Sequence, residues 1–153
     1  MDKFDKHILS ILQQDCTAAV SEVAAQVGLS TTPCWRRIQA MEKSGVIRGR
    51  VALTNAEMLN VGLTVFVIIR TNQHNPDWLN TFAKIADEFQ EIIEFYRMSG
   101  DVDYLLKVVV PDMKAYDHFY KKLIDKASFA DISSSFAMEE IKYTTALPVD
   151  YLP

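Results

Sequence analysis

Apolar residues recur at helical spacing over the first 45 positions of the chain and at strand spacing from position 63 onward. Phe4, Ile8, Leu9, Ile11 and Leu12 predict an opening helix, with Asp2 and Asp5 placed to cap its first turn. A second helix is expected over 21–27, where Ser21 can cap and Val23, Ala24 and Val27 form the inner face. Gly28 then offers the permissive backbone needed where a helix stops and the chain turns sharply, and Leu29 can plug the corner. Ser30, Thr31 and Thr32 are cap candidates for a third helix. Pro33 is tolerated in a first helical turn, where the donor it lacks has no intrahelical partner. Cys34, Ile38 and Met41 recur at i, i+4 and i+7, which leaves Trp35, Arg36, Arg37, Gln39 and Lys43 expected to point outward. A short helix, a glycine corner and a second helix with a basic outer face form a helix-turn-helix, the arrangement that lays a helix in the DNA major groove.

Gly45 closes this three-helix domain, residues 1–45, which is small enough to be marginal alone. Residues 46–61 form a connector: 46–53 (VIRGRVAL) has strand character and is expected to act as a hinge strand, and 54–60 suits a single helical turn. Residues 62–153 then read as strand, helix, strand, strand, helix, strand. The strands fall at 63–71, 92–98, 104–110 and 132–143. One helix follows the Asn75-Pro76-Asp77 start signal and the other covers 112–126; Ser99-Gly100-Asp101 joins the middle strands as a hairpin. This βαββαβ order predicts a ferredoxin-like antiparallel sheet with both helices on one face, so the fold class is α+β. In the first strand Leu63, Val65, Val67 and Ile69 serve one face, yet Phe66 and Ile68 make the other apolar as well. Two helices cover one side only. A second copy of the same sheet is the economical cover for the other, which predicts a homodimer.

Composition changes this picture in one respect. The net charge of −4 argues against nucleic acid, but the charge is unevenly placed. Residues 1–60 hold seven Lys/Arg against six Asp/Glu, a balance of +1, and residues 61–153 hold nine against fourteen, a balance of −5. Arg36, Arg37, Lys43, Arg48 and Arg50 face only Glu42 across 30–50. Screening confines fields to about 8–10 Å at cellular salt, so this local cluster decides contact with phosphate. At 49% hydrophobic and 24% charged the chain is globular, with no apolar run approaching the roughly 20 residues of a membrane span. The opening residues do not resemble a signal peptide, and Cys16 and Cys34 form no CxxC pair, so a reducing, cytoplasmic setting is expected. Cys34 reads as a small core residue, with a redox sensor as the alternative.

The same stretches resemble the Lrp/AsnC (feast/famine) transcription regulators over essentially the whole chain. The opening DKxDxxIL pattern, VGLSTTPCWRRI, GVIRGRVAL, SGDVDYLLKVVVPDM and SSFAMEEIKYTTALP carry the likeness in order. The resemblance implies an N-terminal domain bound to double-stranded DNA, with Ser30, Thr31, Thr32, Trp35, Arg36, Arg37, Gln39 and Lys43 as its contact residues. It implies a C-terminal domain that senses a small effector, usually a free amino acid held between dimers, and dimers that commonly assemble into octamers. The effector turn maps to Met98, Gly100, Asp101, Asp103 and Tyr104, with Met113, Ser134, Ser135, Phe136 and Ala137 as further effector positions. Gly100 admits a close backbone approach, Asp103 suits an ammonium group, and Asp101 is equally at home as an ordinary turn residue. Met98, Met113 and Phe136 would give the pocket apolar, adaptable walls.

No metal, cofactor or catalytic signature accompanies these features. His7, His74 and His118 are scattered, no nucleotide-binding loop or nucleophile elbow occurs, and Glu139 and Glu140 are adjacent. The sequence is therefore expected to be a regulator and not an enzyme. The alternative is an amino-acid-binding assembly module without specific DNA readout. Trp35 bears on that choice: displayed beside Arg36 it either contacts DNA or packs on the connector.

Overall fold

The structure is a computed structural model that describes residues 1–73 and 75–152, so His74 lies outside the described residues. The chain divides into two compact units, 1–53 with 141–153, and 54–140.

The first unit is built on three helices, α1 (Lys3–Leu12), α2 (Val20–Val27) and α3 (Thr31–Lys43). Both expected carboxylates cap α1: Asp2 accepts from the N–H groups of Phe4 (2.9 Å) and Asp5 (3.1 Å), and Asp5 accepts from that of Asp2 (3.0 Å). Ser21 is not the cap of α2. Ala19 holds that position, and Glu22 reaches back to its N–H at 3.1 Å, which starts the helix earlier than the apolar spacing suggests. Gly28 has φ +74°, the left-handed conformation that ends α2 and lets the Leu29 N–H reach the Ala24 carbonyl. Ile8, Val23, Ala24, Cys34 and Ile38 are fully or almost fully buried where the three helices meet.

Two expectations for the flanking segments are corrected. Residues 46–53 form no strand within the chain: Val51 and Leu53 are exposed, and a strand here has no neighbour to complete its ladder. The last strand ends at Phe136, not at 143, and 141–153 joins the helical unit instead of the 62–153 domain. The Gln13 carboxamide fixes this return by accepting from the Leu147 N–H (2.7 Å) and donating to its carbonyl (3.1 Å). Val149 and Leu152, around a short 3-10 turn (Val149–Tyr151), then pack on the helical core.

The second unit carries β1 (Leu63–Arg70), α4 (Pro76–Asp87), β2 (Ile92–Arg97), β3 (Tyr104–Val110), α5 (Met113–Lys126) and β4 (Asp131–Phe136). Before β1 the expected turn forms at 55–61, closed by the Leu59 N–H on the Asn55 carbonyl. Asn75 caps α4 with Pro76 at its first position, and Asp112 caps α5. The sheet is antiparallel in the order β2-β3-β1-β4, as the βαββαβ pattern predicts. Val65, Val67, Ile69, Leu106, Val108 and Val110 are buried together with Phe82, Phe119 and Leu123 of α4 and α5. Phe66, Ile68, Leu105 and Val109 occupy the opposite face and stay only half-buried.

Removing the Gln13 clamp should loosen the helical unit selectively. Gln13→Ala is expected to lower its stability by about 1 kcal/mol, the net worth of a hydrogen bond. Hydrogen exchange should show faster exchange in α1 and none in β1; unchanged α1 exchange would contradict the role given to the tail.

Candidate DNA interface and ligand pocket

At about 100° per residue around α3, Thr32, Trp35, Arg36, Gln39 and Lys43 fall within one arc opposite Cys34. All five are exposed, and Trp35 presents half of its surface to solvent. Ser30 sits at the N-cap with Thr31 beside it, both exposed at the start of the helix. Cys34 is fully buried, and this burial pushes its thiol up, away from the thiolate a redox sensor needs.

Arg37 is not on the outward face, contrary to the sequence expectation. It is one position from Arg36 but about 60° from Cys34, so it flanks the inner surface. Its guanidinium pairs with Asp2 (2.9 Å) and Asp5 (2.8 Å) and lies 5.5 Å from the Phe4 ring centre. Hydrogen bonding from the Asp5 backbone, with help from Arg37, holds the Asp2 carboxyl below its usual range. Arg50 is engaged as well: it pairs with Glu42 (2.9 Å) and donates to the Cys16 carbonyl (3.3 Å), while Glu42 accepts from Gln39 (2.8 Å). Of the five bases in this region, Arg36, Lys43 and Arg48 are exposed and have no ion-pair partner among the described residues.

In the sheet unit the expected effector residues separate into two groups. Gly100, at φ +117°, turns the β2–β3 hairpin, and the Met98 N–H donates to the Asp103 carbonyl at 2.8 Å. The Asp103 carboxylate accepts from the Thr71 N–H (2.8 Å), which fixes it beside the end of β1. Asp101 contributes its backbone: Arg70 donates to the Asp101 carbonyl (2.8 Å) and pairs with Asp131 (3.0 Å). A hollow of about 240 Å³ opens here, lined by Asn75, Pro76, Leu79, Arg97, Met98, Asp103 and Tyr104. Tyr104 is a buried part of this lining, its ring tilted against Trp78 with centres 5.3 Å apart. Arg97 was not anticipated from sequence. It pairs with Tyr104 across the ladder and so shares the helix-covered face, a consequence of strand alternation. A larger, open hollow of about 420 Å³ beside Glu88 and Lys126 contains none of the expected residues.

Met113, Ser135, Phe136 and Ala137 lie at the other end of the sheet. Phe136 pairs with Val65 and Ser135 with Phe66, the Ala137 N–H reaches the Thr64 carbonyl, and Met113 begins the helix that follows Val110. The two ends are about 20 Å apart at about 3.3 Å per residue. One chain therefore does not bring the ten residues together. Alternation also divides the serines: Ser135 faces the open side, whereas Ser134 turns towards α5 and hydrogen-bonds the Tyr116 hydroxyl. Phe136 likewise packs on Tyr116, with ring centres 5.2 Å apart, and lies half-buried against the core.

Comparison with known proteins assigns both units. The AsnC-type helix-turn-helix domain matches residues 1–42, and the Lrp/AsnC ligand binding domain matches residues 64–147. The chain belongs to the Lrp/AsnC family. It is similar to the DNA-binding transcriptional activator DecR of Escherichia coli, at 46% identity over 98% of this chain and 99% of that protein. The crystal structure of an AsnC family transcriptional regulator from Agrobacterium tumefaciens superposes with a TM-score of 0.97 at 61% identity, covering 100% of both chains. A transcriptional regulator from Neisseria meningitidis in complex with L-Met gives 0.94 at 34% identity, covering 100% of this chain and 99% of that one. This Lrp/AsnC protein is accordingly a DNA-binding transcriptional regulator and not an enzyme. Among the described residues no helix is long and apolar enough to cross a membrane, and no group of three acidic, His or Cys side chains is placed to hold a metal ion.

The arc on α3 makes Arg36 the residue to test for base readout. Arg36→Ala should weaken operator binding by about 1–3 kcal/mol and relax preference at one base position. Equal weakening on every DNA sequence would mark it as a phosphate contact, and an unchanged operator affinity would remove it from the interface.

Proposed function

We propose that this Lrp/AsnC regulator works in the cytoplasm, reads operator DNA through the outer face of α3, and adjusts its assembly and DNA affinity to a free amino acid bound at the β2–β3 hairpin. The observation that carries the effector reading is that Arg97 and Asp103 line one hollow together with Leu79 and Met98. An amino acid presents one carboxylate and one ammonium group; Arg97 suits the first and Asp103 the second. Leu79 and Met98 offer an apolar wall, which favours an aliphatic or sulfur-containing side chain over a charged one. The L-Met bound by the Neisseria relative is consistent with that preference.

Assembly completes this site. The half-buried face of Phe66, Ile68, Leu105 and Val109 and the exposed apolar residues Val51, Leu53, Met138 and Ile141 favour burial against a second copy. Met113, Ser135 and Ala137 lie too far from the hairpin of their own chain to share its hollow, so we assign them to the pocket of a neighbouring protomer. Dimers would join through such contacts into an octamer, and effector binding at a shared site would shift that equilibrium and operator affinity together.

Asp103→Ala and Arg97→Ala should each abolish calorimetric binding of L-Met and L-Leu while leaving basal operator binding intact. Undiminished binding by either variant would remove that residue from the site. At micromolar concentration the protein should sediment as a dimer or a multiple of it; a species at the monomer mass of 17.4 kDa would contradict the assembly reading.

A further inference from the structure

We infer that Arg37 is a positioning residue that sets the seat of α3 through Asp2 and Asp5, and is not itself a DNA contact. The inference rests on α3 being the reading helix. Its basis is a closed arrangement of charges between the first turn of α1 and the middle of α3. Asp2 and Asp5 are each fixed before Arg37 meets them, because their carboxylates are already hydrogen-bonded to backbone N–H groups in a reciprocal cap. The guanidinium bonds both carboxylates, at 2.8 to 3.0 Å, and covers the Phe4 ring. One guanidinium nitrogen, Nη1, bridges the two anchored carboxylates, and the Phe4 ring beside the guanidinium group limits its orientation. With Lys3, whose ammonium lies 5.1 Å from the same ring centre, the four charges sum to zero, so the cluster offers phosphate no net attraction. Contact with DNA through Nη1 would break both pairs and leave two carboxylates facing a polyanion.

The two roles predict opposite responses when the acids are removed. Asn keeps the capping function of Asp at a helix N-terminus but carries no charge. In Asp2→Asn/Asp5→Asn a positioning Arg37 loses both anionic partners and keeps only weaker neutral acceptors, so α3 is held less firmly in its seat. A DNA-contacting Arg37 would instead be released towards phosphate. The measurement is the ratio of operator affinity to non-specific duplex affinity, with the operator selected by the full-length protein from random DNA. Salt dependence is followed for each variant. Removing two negative charges strengthens attraction to any DNA, so the ratio is decisive and not the absolute affinity.

For the double Asn variant the ratio should fall about fivefold, the scale of a modest loss at one base contact. Arg37→Ala should reproduce that fall with an unchanged slope of log affinity against log salt. An unchanged or higher ratio in the double variant, or a slope reduced by about 0.9 in Arg37→Ala, would overturn the inference. Should Arg37→Ala fail to fold, the capped double Asn variant decides alone. Arg36→Ala with Lys43→Ala, measured alongside, separates the premise from the inference: if losing both bases of the outer arc leaves operator affinity unchanged, α3 is not the reader and the premise itself is overturned.

Discussion

The structure depends on a strand with no polar face. β1 lies between β3 and β4, and apolar side chains occupy the middle of both its surfaces, between Thr64 and Arg70 on the open one. The side bearing Val65, Val67 and Ile69 is sealed by α4 and α5, and this burial holds the second unit together. The side bearing Phe66 and Ile68 has no helix to cover it, since both crossover helices lie on the first. Complete burial of such a side chain is worth about 1.5–3 kcal/mol. Several of them on one face make self-association the favourable outcome for a regulator of this family. The open face is not wholly apolar: Lys107 pairs with Glu94 at 3.3 Å, and the Tyr96 hydroxyl donates to the same carboxylate at 2.6 Å. These polar contacts give the face a register that a uniform greasy surface would lack.

The helical unit meets a different constraint. A domain of three short helices has little core, and it gains support from the chain that flanks it. The tail returns through Gln13 and Leu147, and Arg50 from the connector ties Glu42 to the Cys16 carbonyl. The chain thus passes between the two units twice, once on each side of the sheet domain in sequence. Two of the five bases around α3, Arg37 and Arg50, are taken up in ion pairs within the unit. The outward face of α3 consequently relies on a few unpaired bases together with the exposed Trp35 indole, whose broad flat surface suits close contact.

Helices, strands, their order and the glycine turns were legible because each is encoded by local periodicity and capping. The assignment of Arg36 to the outer face was legible for the same reason. Arg37 was misplaced because it was grouped by charge; its helical angle relative to Cys34 already set it apart. Period two likewise separates Ser134 and Phe136 from Ser135, a division that a contiguous motif conceals. Arg97 was detectable only through its register with Tyr104, which requires knowing how β2 pairs with β3. The return of the tail left little local signal, because Gln13 and Leu147 are far apart in sequence. The strand expected at 46–53 and the continuation of the last strand to 143 do not form, since a strand needs a pairing partner that the single chain does not supply there.

The central claim is that each effector pocket is shared between protomers, because the hairpin and the residues around Met113 lie at opposite ends of one sheet. Mixing tests it most directly. Chains carrying Asp103→Ala are combined with chains carrying Met113→Asp, a substitution tolerated in the first turn of α5, and allowed to exchange subunits before calorimetry with L-Met. Neither variant should bind alone, and the mixture should regain part of the binding, because some pockets then combine an intact hairpin with an intact Met113 from another chain. A mixture that stays silent, or full binding by the Met113 variant alone, would contradict the claim.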